Sequence, residues 1–205
     1  MSDNKTAVPD RDWSSYYKHK SNLIPRETLL KALDLFDTGK RNVQNIANDI
    51  GCGHGADTIE LLKRGWKVNA FDSEPEGLLI LSETVSEDCS DMLSVFNQKF
   101  ENIELPECNL LNASFSLPFC LPDHFKGLWN KIEKCIKING RFAGNFFGEN
   151  DEWSSNKDMT FHHKEDVAKL FSNFDIEYFH ERDEDGATAD GTPKHWHVFS
   201  VIARK

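Results

Sequence analysis

Two hydrophobic rhythms alternate along this chain. Short apolar runs bounded by turn formers read as buried strands, and apolar residues three and four apart read as one face of a helix. Arg26 to Phe36 has the helical spacing at Leu29, Leu30, Leu33 and Phe36, and Gly39 ends it. Val43 to Ile50 reads as the first strand. Ala56 to Arg64 follows as a short helix turning Ile59, Leu61 and Leu62 inward, closed by Gly65. Trp66 to Phe71 is the second strand and runs into Asp72. Ser73-Glu74-Pro75-Glu76 has a capping-box spacing with proline in the first turn, and its helix continues through Leu78, Leu79 and Leu81 towards Val85. Met92 to Phe96 and Asn109 to Ser114 are the third and fourth strands. From Pro122, the positions Phe125, Leu128, Trp129, Ile132, Cys135 and Ile136 share a helical face, the cleanest amphipathic signal in the chain. Asn139-Gly140 is a turn and Arg141 to Phe147 the fifth strand. Lys164 to Phe174 is a helix. Ile176 to His180 and His195 to Ala203 are closing strands, joined by an acidic loop from Asp183 to Lys194. Strand and helix in alternation predict an α/β fold around a mostly parallel sheet.

The length of 205 residues fits a single domain spanning 1–205, with 1–25 as a partly flexible N-terminal segment. A formal charge of −10 argues against a nucleic-acid partner, because phosphate contacts are made by Lys and Arg. No apolar run approaches the roughly 20 residues of a membrane helix, and the start MSDNKTAVPDRD lacks the apolar centre of a signal peptide. The expectation is a cytoplasmic protein without membrane contact, a monomer or weak homodimer. Five cysteines, none at CxxC spacing, point to reduced thiols rather than a disulfide framework or zinc site. His195 and His197 face one side of a strand and His162 and His163 diverge, so no metal site is expected.

The chemistry concentrates in Asn48-Asp49-Ile50-Gly51-Cys52-Gly53-His54-Gly55-Ala56-Asp57, between a strand and a helix. Glycines there let the backbone turn sharply and approach a ligand, and the following helix presents unpaired N–H groups. Asp72, 21 residues after Gly51 at the next strand's end, is placed to accept both hydroxyls of a ribose. Gly51-x-Gly53-x-x-Ala56 also satisfies a dinucleotide fingerprint. Asp49 tips the balance: a carboxylate two residues before the bend repels a pyrophosphate but suits an ammonium. Tyr16-x-x-x-Lys20 has the spacing of a dehydrogenase pair but precedes the first strand.

The run DIGCGHGADTIELLKRGWKVNAFDSEP resembles the class I S-adenosylmethionine-dependent methyltransferases, and among them the small-molecule branch that includes the tellurite-resistance methyltransferases. NASFSLPF, FKGLWNKIEKCIKINGRFAGNFFG and KHWHVFSVIARK resemble the same branch, so the likeness covers nearly the whole chain. It implies a Rossmann-like, seven-stranded, mostly parallel sheet in order 3-2-1-4-5-7-6, last strand antiparallel, with helices on both faces. It implies S-adenosylmethionine as cofactor, a small-molecule acceptor, and the following roles. Asp49 and the backbone of Gly51, Cys52 and Gly53 hold the methionine part. Asp72, with Ser73 beside it, holds the ribose. Phe100 meets the adenine, although Lys99 stands where an acidic or small polar residue usually does. Asn112, Ala113 and Ser114 face the sulfonium and the acceptor. Trp13, Tyr16 and Tyr17 form a lid, and Arg26 pairs with the cofactor carboxylate. Asp151, Trp153, His195, Trp196 and His197 fall at the same sheet edge and are candidates for the acceptor pocket, as alternatives to plain packing. The competing readings are an NAD-dependent Rossmann oxidoreductase and a non-catalytic cofactor-binding protein.

Overall fold

The computed structural model describes residues 24–36, 44–188 and 190–205. Their elements run α1 (Glu27–Phe36), β1 (Ile46–Ile50), α2 (Ala56–Lys63), β2 (Lys67–Asp72), α3 (Pro75–Thr84), α4 (Glu87–Ser90), β3 (Leu93–Asn97), β4 (Cys108–Ala113), a 3₁₀ turn (Leu117–Phe119), α5 (Pro122–Cys135), β5 (Ile136–Gly148), β6 (Phe161–His162), α6 (Lys164–Leu170), β7 (Asp175–Ala187) and β8 (Pro193–Arg204). One sheet takes the order β3-β2-β1-β4-β5-β8-β7, with β6 paired beside β5. Strands β1 to β5 are parallel neighbours, while β8 runs antiparallel to both β5 and β7. With the two-residue β6 set aside, this is the predicted order and sense.

Alternation along the central strands puts a core on each face of the sheet. On β4 and β5, Leu111 and Phe142 join Phe125, Leu128, Trp129 and Ile132 of α5. Their sequence neighbours Leu110 and Ala143 join Leu29 and Leu33 of α1 and Leu61 and Leu62 of α2. Each large apolar side chain so buried contributes roughly 1.5–3 kcal/mol before the cost of ordering it. The five buried residues of α5 are those its periodicity marks, except that Ile136 opens β5 instead of closing the helix.

Four other expectations are corrected. Helix α3 starts at Pro75 with Glu74 as its N-cap and no side-chain cap, so Ser73 closes no capping box; Asp72 Oδ1 accepts the Glu74 N–H at 2.9 Å instead. Asn139 (φ +65°) and Gly140 do not end an element: they sit in a bulge inside β5, where the pairing jumps from Cys108↔Ile136 to Leu110↔Arg141. The expected acidic loop is mostly strand, because β7 and β8 stay paired out to Ala187↔Pro193. Helix α6 stops at Leu170, short of Phe174.

Candidate functional site

The parallel strands deliver their carboxyl ends to one edge, where open α/β sheets bind ligands. Between β1 and α2 the chain turns through Gly51 (φ +69°) and Gly53 (φ +56°), a left-handed conformation that other residues adopt at a cost. Gly51 also lies under Ser116, whose Cβ a side chain at 51 would overlap. Ser116 Oγ donates to the Ile50 carbonyl at 2.7 Å, fixing the bend from the β4 side.

Asp72 ends β2 beneath this bend. Its Oδ2 accepts the Gly53 N–H at 2.7 Å and its Oδ1 the Glu74 N–H. Each oxygen has a second acceptor position. Burial raises the Asp72 pKa, opposed by the backbone N–H groups of Glu74, Gly53 and Ser73. Asn97 of β3 donates to the carbonyls of Asp72 (3.1 Å) and Ser73 (2.9 Å), so the β2 tip is braced from its neighbour strand. Ser73 itself is exposed.

Asp49 is buried within β1. Its Oδ2 accepts from Thr58 Oγ1 at 2.6 Å and its Oδ1 from Asn112 Nδ2 at 2.9 Å. Burial first, then the charge of Asp57, push its carboxyl to about 7, against the Thr58 and Asn112 hydrogen bonds. Asn112 donates also to Asp57 Oδ2 at 2.9 Å, and accepts from Ser114 Oγ at 3.2 Å. Asp57 Oδ1 takes the backbone N–H of Arg26 at 2.7 Å, tying the start of α1 to the bend. The Arg26 guanidinium lies over the Phe115 ring, 4.9 Å from its centroid. Burial, then Asp49 and Asp72, push the Cys52 thiol well up, so Cys52 presents its backbone rather than a thiolate.

Thus Asp49, Gly51, Cys52, Gly53, Asp72, Asn112, Ser114 and Arg26 are gathered around one bend, and Ala113 is buried at the β4 tip beside them. Phe100 is half-buried and packs on the α5-side core, with Lys99 exposed before it. Trp13, Tyr16, Tyr17 and Lys20 lie outside the described residues. Sequence reasoning missed the site roles of Asp57, Thr58, Asn97 and Ser116. An acid in a first helical turn is ordinary dipole chemistry, and nothing local marks Asp57 as the second partner of Asn112.

Past β4 the edge becomes aromatic. Phe115 (φ +53°) is held by Asn145 Oδ1, which accepts its N–H at 3.2 Å. Phe115, Phe119, Trp153 and Trp196 pack half-buried around buried Phe147. Among them runs a buried ion pair: Lys194 Nζ to Asp151 Oδ1, 2.5 Å, with both side chains at most 1% exposed. On β7 and β8, His195 bridges Asp185 (2.7 Å) and Asp183 (2.8 Å), and His197 Nδ1 accepts the Asn150 N–H while its Nε2 meets Glu181 at 3.1 Å. Both histidines therefore hold the hairpin. Among the described residues no group of three or more His, Cys, Asp or Glu is arranged for a metal ion, and no helix is long and apolar enough to cross a membrane.

No protein-family model and no curated protein matches the chain. Solved structures match its fold. TehB from Haemophilus influenzae superposes with a TM-score of 0.74 over 94% of this chain at 12% identity; this chain spans 65% of that one, just under two thirds. N-methyltransferase NodS from Bradyrhizobium japonicum gives 0.65 over 97% of this chain and 99% of its own, at 12% identity. The 1,6-didemethyltoxoflavin-N1-methyltransferase of Burkholderia thailandensis, solved with 1,6-didemethyltoxoflavin and S-adenosylhomocysteine, gives 0.64 over 95% and 82%, at 15% identity. The chain has the Rossmann-like fold of the S-adenosylmethionine-dependent methyltransferases.

Proposed function

We propose that this chain is an S-adenosylmethionine-dependent methyltransferase acting on a small molecule. One observation carries the reading: Asp72, docked on the Gly53 N–H at a strand tip, stands across the bend from Asp49, which Asn112 couples to Asp57. The second acceptor positions of the Asp72 carboxylate suit two vicinal ribose hydroxyls. The Asp49 and Asp57 carboxylates suit a cation, which matches the ammonium of an amino-acid tail and opposes the pyrophosphate of NAD. Arg26, at the mouth of the same bend, suits the tail's carboxylate.

Bound here, the cofactor supplies an electrophilic methyl group on a sulfonium. The chain's own work is orientation and exclusion of water, and alignment alone is worth about 7–11 kcal/mol in favourable cases. Asn112 holds Asp49 and Asp57 in place, and Ser114 and Phe115 line the approach at the β4 tip. The acidic charge of −10 fits a small acceptor rather than nucleic acid.

The test is calorimetry on the purified protein. S-adenosylmethionine and S-adenosylhomocysteine are expected to bind, and Asp72→Ala to weaken both about a hundredfold, the scale of two lost charge-assisted hydrogen bonds. Binding of NADH in place of either would overturn the assignment.

A further inference from the structure

One contact at the mouth of the bend is maintained against a backbone cost. Arg26 is exposed, and its guanidinium lies over the half-buried ring of Phe115, 4.9 Å from the centroid. Phe115 has φ +53°, a left-handed backbone that a bulky residue keeps only where its surroundings enforce it. The enforcement comes from Asn145, buried in β5. Its Oδ1 accepts the Phe115 N–H at 3.2 Å, and its Nδ2 donates to Ser200 Oγ of β8 at 2.9 Å and to Thr28 Oγ1 of α1 at 3.4 Å. Thr28 stands two residues after Arg26, so one amide fixes both the ring and the first turn of the helix that Arg26 leads into. Phe147 and Trp196 meet the same ring in T-shaped contacts, with centroids 6.2 and 6.4 Å away. The main chain of Arg26 is anchored separately: Asp57 Oδ1 accepts its N–H at 2.7 Å, and Asn112 joins Asp57 to Asp49.

Resting on the methyltransferase reading above, we propose that Phe115 is a positioning residue for the cofactor's carboxylate: its ring is the platform that holds the Arg26 guanidinium, and Asn145 sets that platform. A guanidinium over a ring keeps its charge, and its five N–H donors lie in its own plane as a fork that matches the two oxygens of a carboxylate. An acidic partner in place of the ring would occupy those donors and cancel the charge. An arginine free in water loses rotamer freedom when it binds, whereas one already laid on a ring has given up part of that freedom before the ligand arrives. The carboxylate and ammonium of an amino-acid tail sit on one carbon, so a cation at the mouth and Asp49 with Asp57 at the floor read the two charges of a single tail. Glycine at 115 would make the turn without strain but would offer no ring. The ring therefore matters for ligands that carry the carboxylate and not for those that lack it.

The experiment is calorimetry on the full chain at pH 7 with two ligands: S-adenosylhomocysteine, and 5′-S-(3-aminopropyl)-5′-thioadenosine, which keeps the ammonium and lacks the carboxylate. Arg26→Met is expected to weaken S-adenosylhomocysteine about tenfold or more and to leave the aminopropyl compound within about twofold. Phe115→Leu, equally apolar but without a π-face, should weaken S-adenosylhomocysteine about fivefold with the same selectivity, the scale of one cation–π contact. Phe115→Tyr should keep the wild-type affinity, and Asn145→Ala should show the selective loss of Phe115→Leu. In a chain already carrying Arg26→Met, Phe115→Leu should weaken S-adenosylhomocysteine by less than about twofold, a coupling that a purely structural ring would not produce. Arg26→Met or Phe115→Leu without effect on S-adenosylhomocysteine, equal weakening of both ligands, or a full loss from Phe115→Leu that persists without Arg26, overturns this inference alone. Failure of the wild-type chain to bind S-adenosylhomocysteine overturns the methyltransferase reading and this inference with it. If Phe115→Leu does not fold, Phe115→Gly, which adopts the left-handed turn freely, takes its place with the same expected selectivity and the same refuting outcomes.

Discussion

Replacing Asp49 by asparagine separates what the fold needs from what the site needs. The Asp49 carboxyl is fully buried and titrates at about 7 instead of 3.8. The folded protein therefore keeps a proton that the unfolded chain has released, so ionised Asp49 costs stability. The cost is absent below 3.8, grows as pH rises, and levels off above about 7. At about 1.36 kcal/mol for each pH unit between the two values, the full cost is about 4 kcal/mol. At pH 5 only the part between 3.8 and 5 has accrued, about 2 kcal/mol by the same conversion. An amide at position 49 preserves both hydrogen bonds, its carbonyl accepting from Asn112 and its N–H₂ donating to the Thr58 hydroxyl. Asp49→Asn should thus be more stable than the wild type at pH 8 by up to about 4 kcal/mol, and the gain should shrink by about 2–3 kcal/mol at pH 5. Urea unfolding of both proteins at the two pH values measures this directly. The same variant should lose affinity for S-adenosylmethionine. An equal gain at both pH values, or a less stable variant at pH 8, would refute the electrostatic account of the buried carboxylate.

The same carboxyl predicts that affinity for S-adenosylmethionine rises with pH up to about 7 and then levels, because an ammonium bound beside Asp49 requires its ionised form; calorimetry in buffers of different ionisation heat should detect the released proton. Gly51→Ala should cost about 2 kcal/mol or more and abolish cofactor binding, since a left-handed residue acquires a Cβ that overlaps Ser116; thermal melts with and without S-adenosylhomocysteine test both effects. His195 has its pKa raised by Asp185 and Asp183, so its contribution to the β7–β8 hairpin is present below its unfolded value of 6.5 and lost as pH rises through the folded one. His195→Gln should remove that pH dependence from hydrogen exchange of the hairpin amides.

Elements with strong periodicity were legible in the sequence, and so was the bend. The face of α5 is readable because five apolar positions recur at helical spacing and all five are buried. Asp49, Gly51, Gly53 and Asp72 are readable because strand, turn, helix and strand fix their mutual placement within a short stretch of chain. What escaped depends on contacts between distant segments. The hairpin from Asp183 to Lys194 has the polar composition of a loop, yet His195 paired across the strands with Asp183 and Asp185 keeps it a ladder. The bulge at Asn139-Gly140 looks like a strand boundary because its turn chemistry is real; only the β4 register shows that β5 begins before it. Lys194 carries no local sign that its ammonium is enclosed by rings contributed by β5, β8 and the segment between β5 and β6.

These observations meet in one electrostatic feature of the bend. Asp49, Asp57 and Asp72 crowd its floor, and the strongest perturbation among them is the burial of Asp49 beside Asp57. Asn112 spans that pair, one amide group donating to both. A structural role alone would be better served by an uncharged residue at 49, since the two partners Thr58 and Asn112 are satisfied equally by an amide. The destabilising charge is explained if its counterpart arrives from outside as a cation: an ammonium set between Asp49 and Asp57 relieves their repulsion and lowers the pKa that burial raised. On this account ligand binding stabilises the fold most where the empty site is least stable. The stabilisation by S-adenosylmethionine should then exceed that of 5′-methylthioadenosine, which lacks the whole amino-acid tail, by far more at pH 8 than at pH 5. If the two ligands raise the melting temperature equally at saturation at pH 8, the carboxylate pair does not serve the amino-acid tail.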